Sequence, residues 1–380
     1  MQSEAVREVT TRAGNVTQFA LENPRTAAVA IAAFAALIIA SFIVRYHRRS
    51  KAKRLVDTLE PLSSISVLMH PNPDPDAMAS AIGLKELAES VDTAVTIQYA
   101  GEIRHPENRA FETVLELEFD QIETVDELHD DVVLVDHNVV RGFEGAKDLE
   151  PIAIVDHHPG DGKGTEFTDV RPEQGSCASI VASYLRDRGW RPEADSEAKT
   201  LDSDLATGLL FGIQADTTAF TRGCTASEFD AASYLFPAAD SDTLDRIANP
   251  QVDTETLEVK ARAIDNRNIR GSFLVSHVGD VSNLDSLPQA AEELVRLEGV
   301  TATVVTGERD GHLHLSGRSR DDRVHMGKCI KAALSPMSEA SGGGHARMGG
   351  GQIQLEEASQ NRDSSLDVEE RLFASMNGSL

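Results

Sequence analysis

The chain has 380 residues, a 41% hydrophobic fraction and a formal charge of −26 at neutral pH. That length and apolar content predict two or three cored units rather than one. The acidity excludes tight binding of long nucleic acid, which needs a basic track. Three scattered cysteines, Cys177, Cys224 and Cys329, exclude a disulfide framework or a thiolate zinc site.

The charge is unevenly spread. Residues 1–54 hold nine Lys/Arg against three Asp/Glu, which leaves 27 against 59 for the remainder. Lys is scarce beside Arg, nine against 27. A Lys-poor acidic surface suits a high-salt solvent, where surface repulsion is screened.

Residues 1–25 read as a short exposed tail. Thr26 to Val44 contains no charged residue and is bracketed by Arg25 and Arg45. At 1.5 Å per residue this run reaches about 28 Å, roughly one hydrocarbon thickness. A signal peptide would carry its basic residues first. Here Arg45, Arg48, Arg49, Lys51, Lys53 and Arg54 follow the run. The expectation is a single-pass cell-membrane anchor over 26–44, with the catalytic body cytoplasmic. Residues 45–60 are expected to form a basic juxtamembrane linker.

An α/β pattern begins at Pro61. Ile65 to Met69, Val95 to Tyr99, Val132 to Val135 and Ile152 to Val155 read as strands, three of them short β-branched runs of the buried parallel type. Helices are expected over 77–90, 176–188, 200–215 and 227–236. The expected fold class is α/β: a parallel-sheet, metal-binding domain over 61–248 and a smaller α/β domain over 271–356. A connecting helix spans 249–270, and a polar, frayed tail covers 357–380. In the smaller domain, 273–278, 301–306 and 313–316 read as strands, and 289–297 and 325–334 as helices.

Four acid-bearing segments carry the chemistry. They are His70-Pro71-Asn72-Pro73-Asp74-Pro75-Asp76, Asp136-His137-Asn138, Asp156-His157-His158 and Asp216-Thr217. The first three directly follow strands, and ligands of open α/β sheets gather at the carboxyl ends of strands. Converging carboxylates repel one another unless cations hold them. Carboxylates with some imidazole suit Mn²⁺, with Co²⁺ and Mg²⁺ chemically admissible. Two such ions can bridge a phosphate and lower the pKa of a water. Pro73 and Pro75 force an extended turn, so Asp74 and Asp76 can face different ions.

The ordered set HPNPDPDAMAS, VDHN, VDHH and GIQADTTAF is similar to motifs I to IV of the DHH phosphoesterase superfamily. The later SGRS and GGGHARMGGG are similar to the DHHA1 substrate-binding domain. The resemblance spans roughly residues 61–356. It implies two divalent metal ions, with His70 and Asp74 on one, Asp76, His157 and Asp216 on the other, and Asp136 bridging both. It implies that Asp156 orients the site and that His158 meets the substrate phosphate. It further implies that Arg318, Ser319, Gly343, Gly344 and His345 hold the phosphate and nucleotide end. The partner it implies is a small nucleotide or short oligonucleotide. The leading expectation is a membrane-anchored, Mn²⁺-dependent phosphodiesterase that releases 5′-nucleotides from a cyclic or linear dinucleotide or a very short RNA. The alternatives are a 3′-phosphoadenosine 5′-phosphate phosphatase, an inorganic pyrophosphatase and a non-catalytic nucleotide-binding regulator. Oligomeric state, including a homodimer, is left open. The sequence departs from the usual small residues after GGGH at Ala346-Arg347-Met348, where Arg347 adds a cation.

Overall fold

A computed structural model describes residues 50–129, 131–192, 199–321, 323–337, 339–356 and 367–380. The chain divides into two units, the first ending at Ala248 and the second covering Asn249–Leu380.

The first unit is built on six parallel strands: β1 (Ser64–Met69), β2 (Ala94–Ala100), β3 (Asp120–Ile122), β4 (Val132–Val135), β5 (Ala153–Asp156) and β6 (Phe167–Val170). Their spatial order is β3-β2-β1-β4-β5-β6. The order reverses between β1 and β4, where Leu68 lies beside Leu134 and Met69 beside Val135. That reversal opens a crevice beyond the strands' carboxyl ends, the usual ligand position in such sheets. β1, β4 and β5 are almost wholly buried, as continuous apolar runs require when both faces are covered.

Helices α1 (Lys51–Leu59), α2 (Pro75–Glu89), α3 (Pro106–Val114), α4 (Cys177–Asp187), α5 (Ser203–Asp216), α6 (Ala226–Leu235) and α7 (Ser241–Ala248) complete the unit, with a small pair of strands, β7 (Trp190–Arg191) and β8 (Lys199–Thr200). Close helix packing delivers the last acid. A Cβ at Gly212 would lie 2.9 Å from Ala79 Cβ and 3.1 Å from the Pro75 carbonyl. Glycine therefore lets α5 lie directly on the start of α2 and brings its final residue, Asp216, toward Asp76.

The expected basic linker is partly a helix of this unit. In α1, Ala52, Leu55, Val56 and Leu59 are buried at helical spacing. Each of the larger side chains contributes about 1.5–3 kcal/mol on burial. Lys51 is tied to the sheet as well, its Nζ 3.4 Å from Asp169 and donating to the Thr168 carbonyl. Asp169 also accepts from Arg171 at 2.6 Å and from the Tyr184 hydroxyl. Burial raises this carboxyl's pKa, but Arg171 and Tyr184 outweigh it and hold the group below the usual range. Its stabilisation is therefore present above the unfolded carboxylate pKa and lost as pH falls through the folded one. Asp169→Ala is expected to cost about 3–5 kcal/mol, the range for breaking a buried pair. Urea denaturation near neutral pH checks this, and the wild-type advantage is expected to shrink in acid.

The expected single-pass localisation is corrected. Among the described residues no helix is long and apolar enough to cross a membrane. Their longest, α2, has 15 residues, about 22 Å against a hydrocarbon core of about 30 Å. The apolar run over 26–44 lies outside the described residues.

The second unit holds a mixed sheet of β9 (Arg267–Arg270), β10 (Phe273–Asp280), β11 (Ala302–Arg309), β12 (His312–Ser319), β13 (Ser341–Gly344) and β14 (Met348–Gln354), in spatial order β13-β14-β12-β11-β10-β9. Only β10 and β11 pair in parallel. Helices α8 (Thr254–Asp265) and α9 (Ser286–Leu294) join one core cluster with Leu274, Val278 and Val305. Helices α10 (Met326–Leu334) and α11 (Val368–Met376) join another with Val304, Leu315 and Ile353. The connecting helix is thus part of this unit. The tail is not frayed throughout, because Val368, Leu372, Phe373 and Met376 place an apolar stripe on one face of α11.

Candidate metal centre

The site grows from the ends of β1, β4 and β5. His70 follows β1, and Asp74 caps α2, its Oδ1 accepting from the Asp76 and Ala77 amides at 3.0 Å. Oδ2 of the same carboxylate stands 3.6 Å from His70 Nε2. Asp136 follows β4 with φ 60°, a left-handed conformation uncommon outside glycine and strained wherever it is held. This turn aims the carboxylate in two directions. Asp136 Oδ2 lies 3.5 Å from His70 Nε2, while Oδ1 lies 3.3 Å from His157 Nε2. His157 Nε2 also lies 3.1 Å from Asp216 Oδ2 and 3.8 Å from Asp76 Oδ2.

Three groups result, each with ligand atoms within 4.8 Å of one another: His70–Asp74–Asp136, Asp76–His157–Asp216 and Asp136–His157–His158. Asp74 and Asp76 fall in different groups, as the proline-fixed turn predicts. Two of the three histidines lie with Nδ1 at a backbone carbonyl, His70 at Pro71 (3.0 Å) and His157 at Gln174 (3.2 Å). Donation from Nδ1 leaves the Nε2 lone pair available to a cation, as when a backbone carbonyl orients an imidazole at a metal.

The electrostatics of the cluster favour positive charge. Burial lowers the His70 pKa, but Asp136 and Asp74 outweigh it and push the group up to about 10. Burial opposes the charged form of His157 too, yet Asp136 and Asp216 drive its pKa upward. Asp76 is fully buried, and burial followed by the charges of Asp136 and Asp216 pushes its pKa up. All three shifts express one demand for positive charge. Asp136 Oδ1 and His157 Nε2 are also buried without a hydrogen-bond partner. Orphaned acceptors of this kind, among carboxylates and imidazoles, fit divalent metal ions.

Asp156 stands behind the ligands, fully buried. Its Oδ1 accepts from the His158 amide at 3.0 Å and meets His158 Nδ1 at 2.9 Å, while Oδ2 accepts from Asn138 Nδ2 at 2.5 Å. The Asp156 contact is the largest influence on His158 and raises its pKa. His158 is half exposed, held by its Nδ1 side with the ring open to solvent.

In the second unit Arg318 lies on β12 and donates from Nε (2.9 Å) and Nη2 (2.8 Å) to Glu292 of α9. Ser319 is buried, and its hydroxyl closes a turn with Asp321. The glycine-rich segment is paired along much of its backbone. Gly343 and Gly344 sit in edge strand β13, paired with Gly350 and Gly349. The His345 amide donates to the Met348 carbonyl. The Gly327 amide at the start of α10 donates in turn to the His345 carbonyl. Gly343 nevertheless faces open space, with nothing within 4 Å of an added Cβ. Arg347 donates to the Arg320 carbonyl.

Comparison with known proteins accounts for this arrangement. The family described as "DHH family, N-terminal domain" matches residues 64–213, and "DHHA1 domain" matches residues 270–369. The chain carries a DHH domain followed by a DHHA1 domain. An uncharacterized protein of Methanocaldococcus jannaschii is 35% identical over 78% of this chain and 59% of its own length. A cyclic-di-AMP phosphodiesterase of Geobacillus thermodenitrificans is 26% identical over 73% of this chain and 44% of its own length. A probable manganese-dependent inorganic pyrophosphatase of an Exiguobacterium species is 26% identical over 48% of this chain and 57% of its own length. The chain thus spans about half the length of these curated relatives. Among solved structures, an exopolyphosphatase-related protein from Bacteroides fragilis superposes with a TM-score of 0.64. It covers 87% of this chain and 97% of its own at 16% identity, a likeness of fold alone.

Several residues that hold the DHH site in place are not among those the motifs assign. Asn138 bonds Asp156 and the His158 carbonyl. Asn108 Nδ2 donates to the Pro73 carbonyl and braces the proline turn. His137 packs edge-on to His70 at 6.4 Å, and burial lowers its pKa to about 4, so it is a neutral packing residue. The VDHN motif displayed both Asn138 and His137, but nothing in its spacing separated a brace from a ligand.

Proposed function

We propose that the protein is a metal-dependent phosphodiesterase that hydrolyses short oligonucleotides, or cyclic or linear dinucleotides, to 5′-nucleotides. The hydrolase class rests on the paired DHH and DHHA1 domains and on the activities that their relatives' names carry. One observation carries the reading: Asp136 turns one carboxylate oxygen to the His70 group and the other to the His157 group. That is the arrangement a two-ion phosphate clamp requires. Two divalent ions, Mn²⁺ in this reading, would supply Lewis-acid charge to the phosphate and acidify a water. His70 and Asp74 would hold one, Asp76, His157 and Asp216 the other, and Asp136 both. Asp156 would keep the His158 proton at Nδ1 and its ring toward the substrate phosphate. A histidine held in that way favours the charged form and can stabilise charge developing at the leaving oxygen.

The extent of similarity favours a diester over pyrophosphate. The cyclic-di-AMP phosphodiesterases of Geobacillus thermodenitrificans and Listeria monocytogenes match 73% and 85% of this chain, the pyrophosphatases 48% to 64%. The test is a product assay on the full chain with Mn²⁺ in high salt. Cyclic di-AMP, linear diadenylate, a short RNA, 3′-phosphoadenosine 5′-phosphate and pyrophosphate would be compared. Release of 5′-AMP from a diester supports the reading, and turnover of pyrophosphate alone refutes it.

Arg318, Ser319, Gly343, Gly344 and His345 are assigned to the substrate end. Arg318→Ala is expected to leave metal content unchanged while lowering kcat/KM. Loss of a charge-assisted phosphate contact of about 1.5–3 kcal/mol predicts a fall on the order of 10- to 150-fold. Paired metal analysis and kinetics on a nucleotide and on pyrophosphate check this. Full nucleotide activity in the variant would remove the assignment.

A further inference from the structure

Glu228 is fully buried yet belongs to none of the three ligand groups. In sequence it looks like an ordinary capping-box glutamate, three residues after the N-cap Thr225 of α6. Only one of its oxygens serves that cap. Oε2 accepts from the Thr225 amide at 2.6 Å and the Thr225 hydroxyl at 2.7 Å. Oε1 reaches another part of the chain, accepting from the Gly175 amide at 3.0 Å and the Ser179 hydroxyl at 2.9 Å.

The segment it pins touches two members of one ligand group and lies against the residue that follows the third. The Gln174 carbonyl meets His157 Nδ1 and so directs Nε2 inward. The amides of Cys177 and Ala178, at the start of α4, donate to the two oxygens of Asp76 at 2.6 and 2.8 Å. Gly175 is wedged against the segment that follows Asp216. A Cβ there would lie 2.5 Å from the Gly223 carbonyl and 3.1 Å from Thr217 Cγ2. The His70–Asp74 pair has other supports, the Pro71 carbonyl and the α2 amides. Support from Glu228 is therefore one-sided.

We propose that Glu228 is a positioning residue that sets cation affinity at the Asp76–His157–Asp216 group and leaves the His70–Asp74 side alone. The inference rests on the two-ion reading above. A buried carboxylate with four donors fixes its loop in a single place. Second-shell partners of this kind tune metal affinity by about 10- to 100-fold.

Isothermal titration of the full chain with Mn²⁺ alone, with manganese paramagnetic resonance and thermal melting, tests it. Glu228→Gln keeps the shape but turns an amide group toward donors that need an acceptor. One of the two equivalents is expected to weaken on the order of 10- to 100-fold while the other stays within about twofold, with loss of the spin-coupled pair signal. Thr225→Ala, which removes one donor to Oε2 and the cap of α6 but keeps the Gly175 and Ser179 contacts to Oε1, is expected to lower the melting temperature and keep both affinities. Should Glu228→Gln fail to fold, Ser179→Ala reads the same contact more gently, with a few-fold weakening of the same equivalent expected. A folded Glu228→Gln, or in its place Ser179→Ala, that binds both equivalents as wild type does, or loses both equally, overturns the inference alone. A wild-type chain that takes up no Mn²⁺ overturns the two-ion reading, and this inference with it.

Discussion

Asp136→Ala is expected to abolish turnover, with a fall of at least about a thousandfold, while the chain stays folded. The size follows from the geometry. Each carboxylate oxygen faces a different group, at 3.5 and 3.3 Å from the two imidazoles, so one substitution removes a ligand from both. Losing several kcal/mol of transition-state charge stabilisation is worth at least three powers of ten at 1.36 kcal/mol each. The fold should survive because the acid follows β4, whose four apolar residues stay in place. Its charge helps push the Asp76 carboxyl up, and its backbone is held at φ 60°. Metal-free Asp136→Ala is expected to melt cooperatively, with any loss confined to the pH range where His70 and His157 carry their protons. Steady-state kinetics with calorimetric melting reads both outcomes. A folded variant with wild-type turnover would remove the shared-carboxylate mechanism.

Metal removal is expected to produce the second large effect, and its pH dependence reverses between the two forms. A ligand at a hundred times its Kd stabilises by about 2.7 kcal/mol per site. For a unit of this size that is about 5–10 °C in Tm for each ion. Chelation should thus lower Tm by about 10 °C or more when both sites empty. In the metal-free form His70 carries a pKa raised to about 10, and that of His157 is raised as well. Groups with raised folded pKa values stabilise fully below their unfolded value, about 6.5, and lose that contribution as pH rises through the folded pKa. The metal-free protein should therefore be more stable near pH 6 than near pH 9. Metal binding must displace those protons, so the loaded protein gains affinity and stability over the same window. Melting curves with and without chelator across that range check the crossing. Parallel curves would show that protons and metal do not compete for these histidines.

Much of this site was legible because strand ends are legible. Short β-branched runs ending in Asp136, Asp156 and His70 announced parallel strands, and parallel strands deliver their carboxyl ends to one edge. The order β3-β2-β1-β4-β5-β6, which sets β1 beside β4, was not written in any local pattern. Helix α3 escaped notice because it buries only Asn108 and Phe111 along nine residues. Strand β6 alternates buried and half-buried positions over four residues, too few for a period to show. The glycine-rich segment gave no strand signal, yet repeated glycines allow an edge strand to lie close on β14. The pattern Thr-x-x-Glu at 225–228 announced a cap, whereas the donors at Gly175 and Ser179 come from about 50 residues earlier. The long apolar run over 26–44 carried a localisation that no described helix supports.

The two ligand groups differ in how much of the chain must be in place before they exist. His70, Asp74 and Asp136 need only the turn after β1 and the neighbouring strand β4. Asp76, His157 and Asp216 need β5 and the packed end of α5 as well. Contacts distant in sequence form late, since loop closure must precede them. In the two-ion reading proposed above, the first group would capture an ion while the second is still unmade, and uptake of the second ion would mark arrival at the native topology.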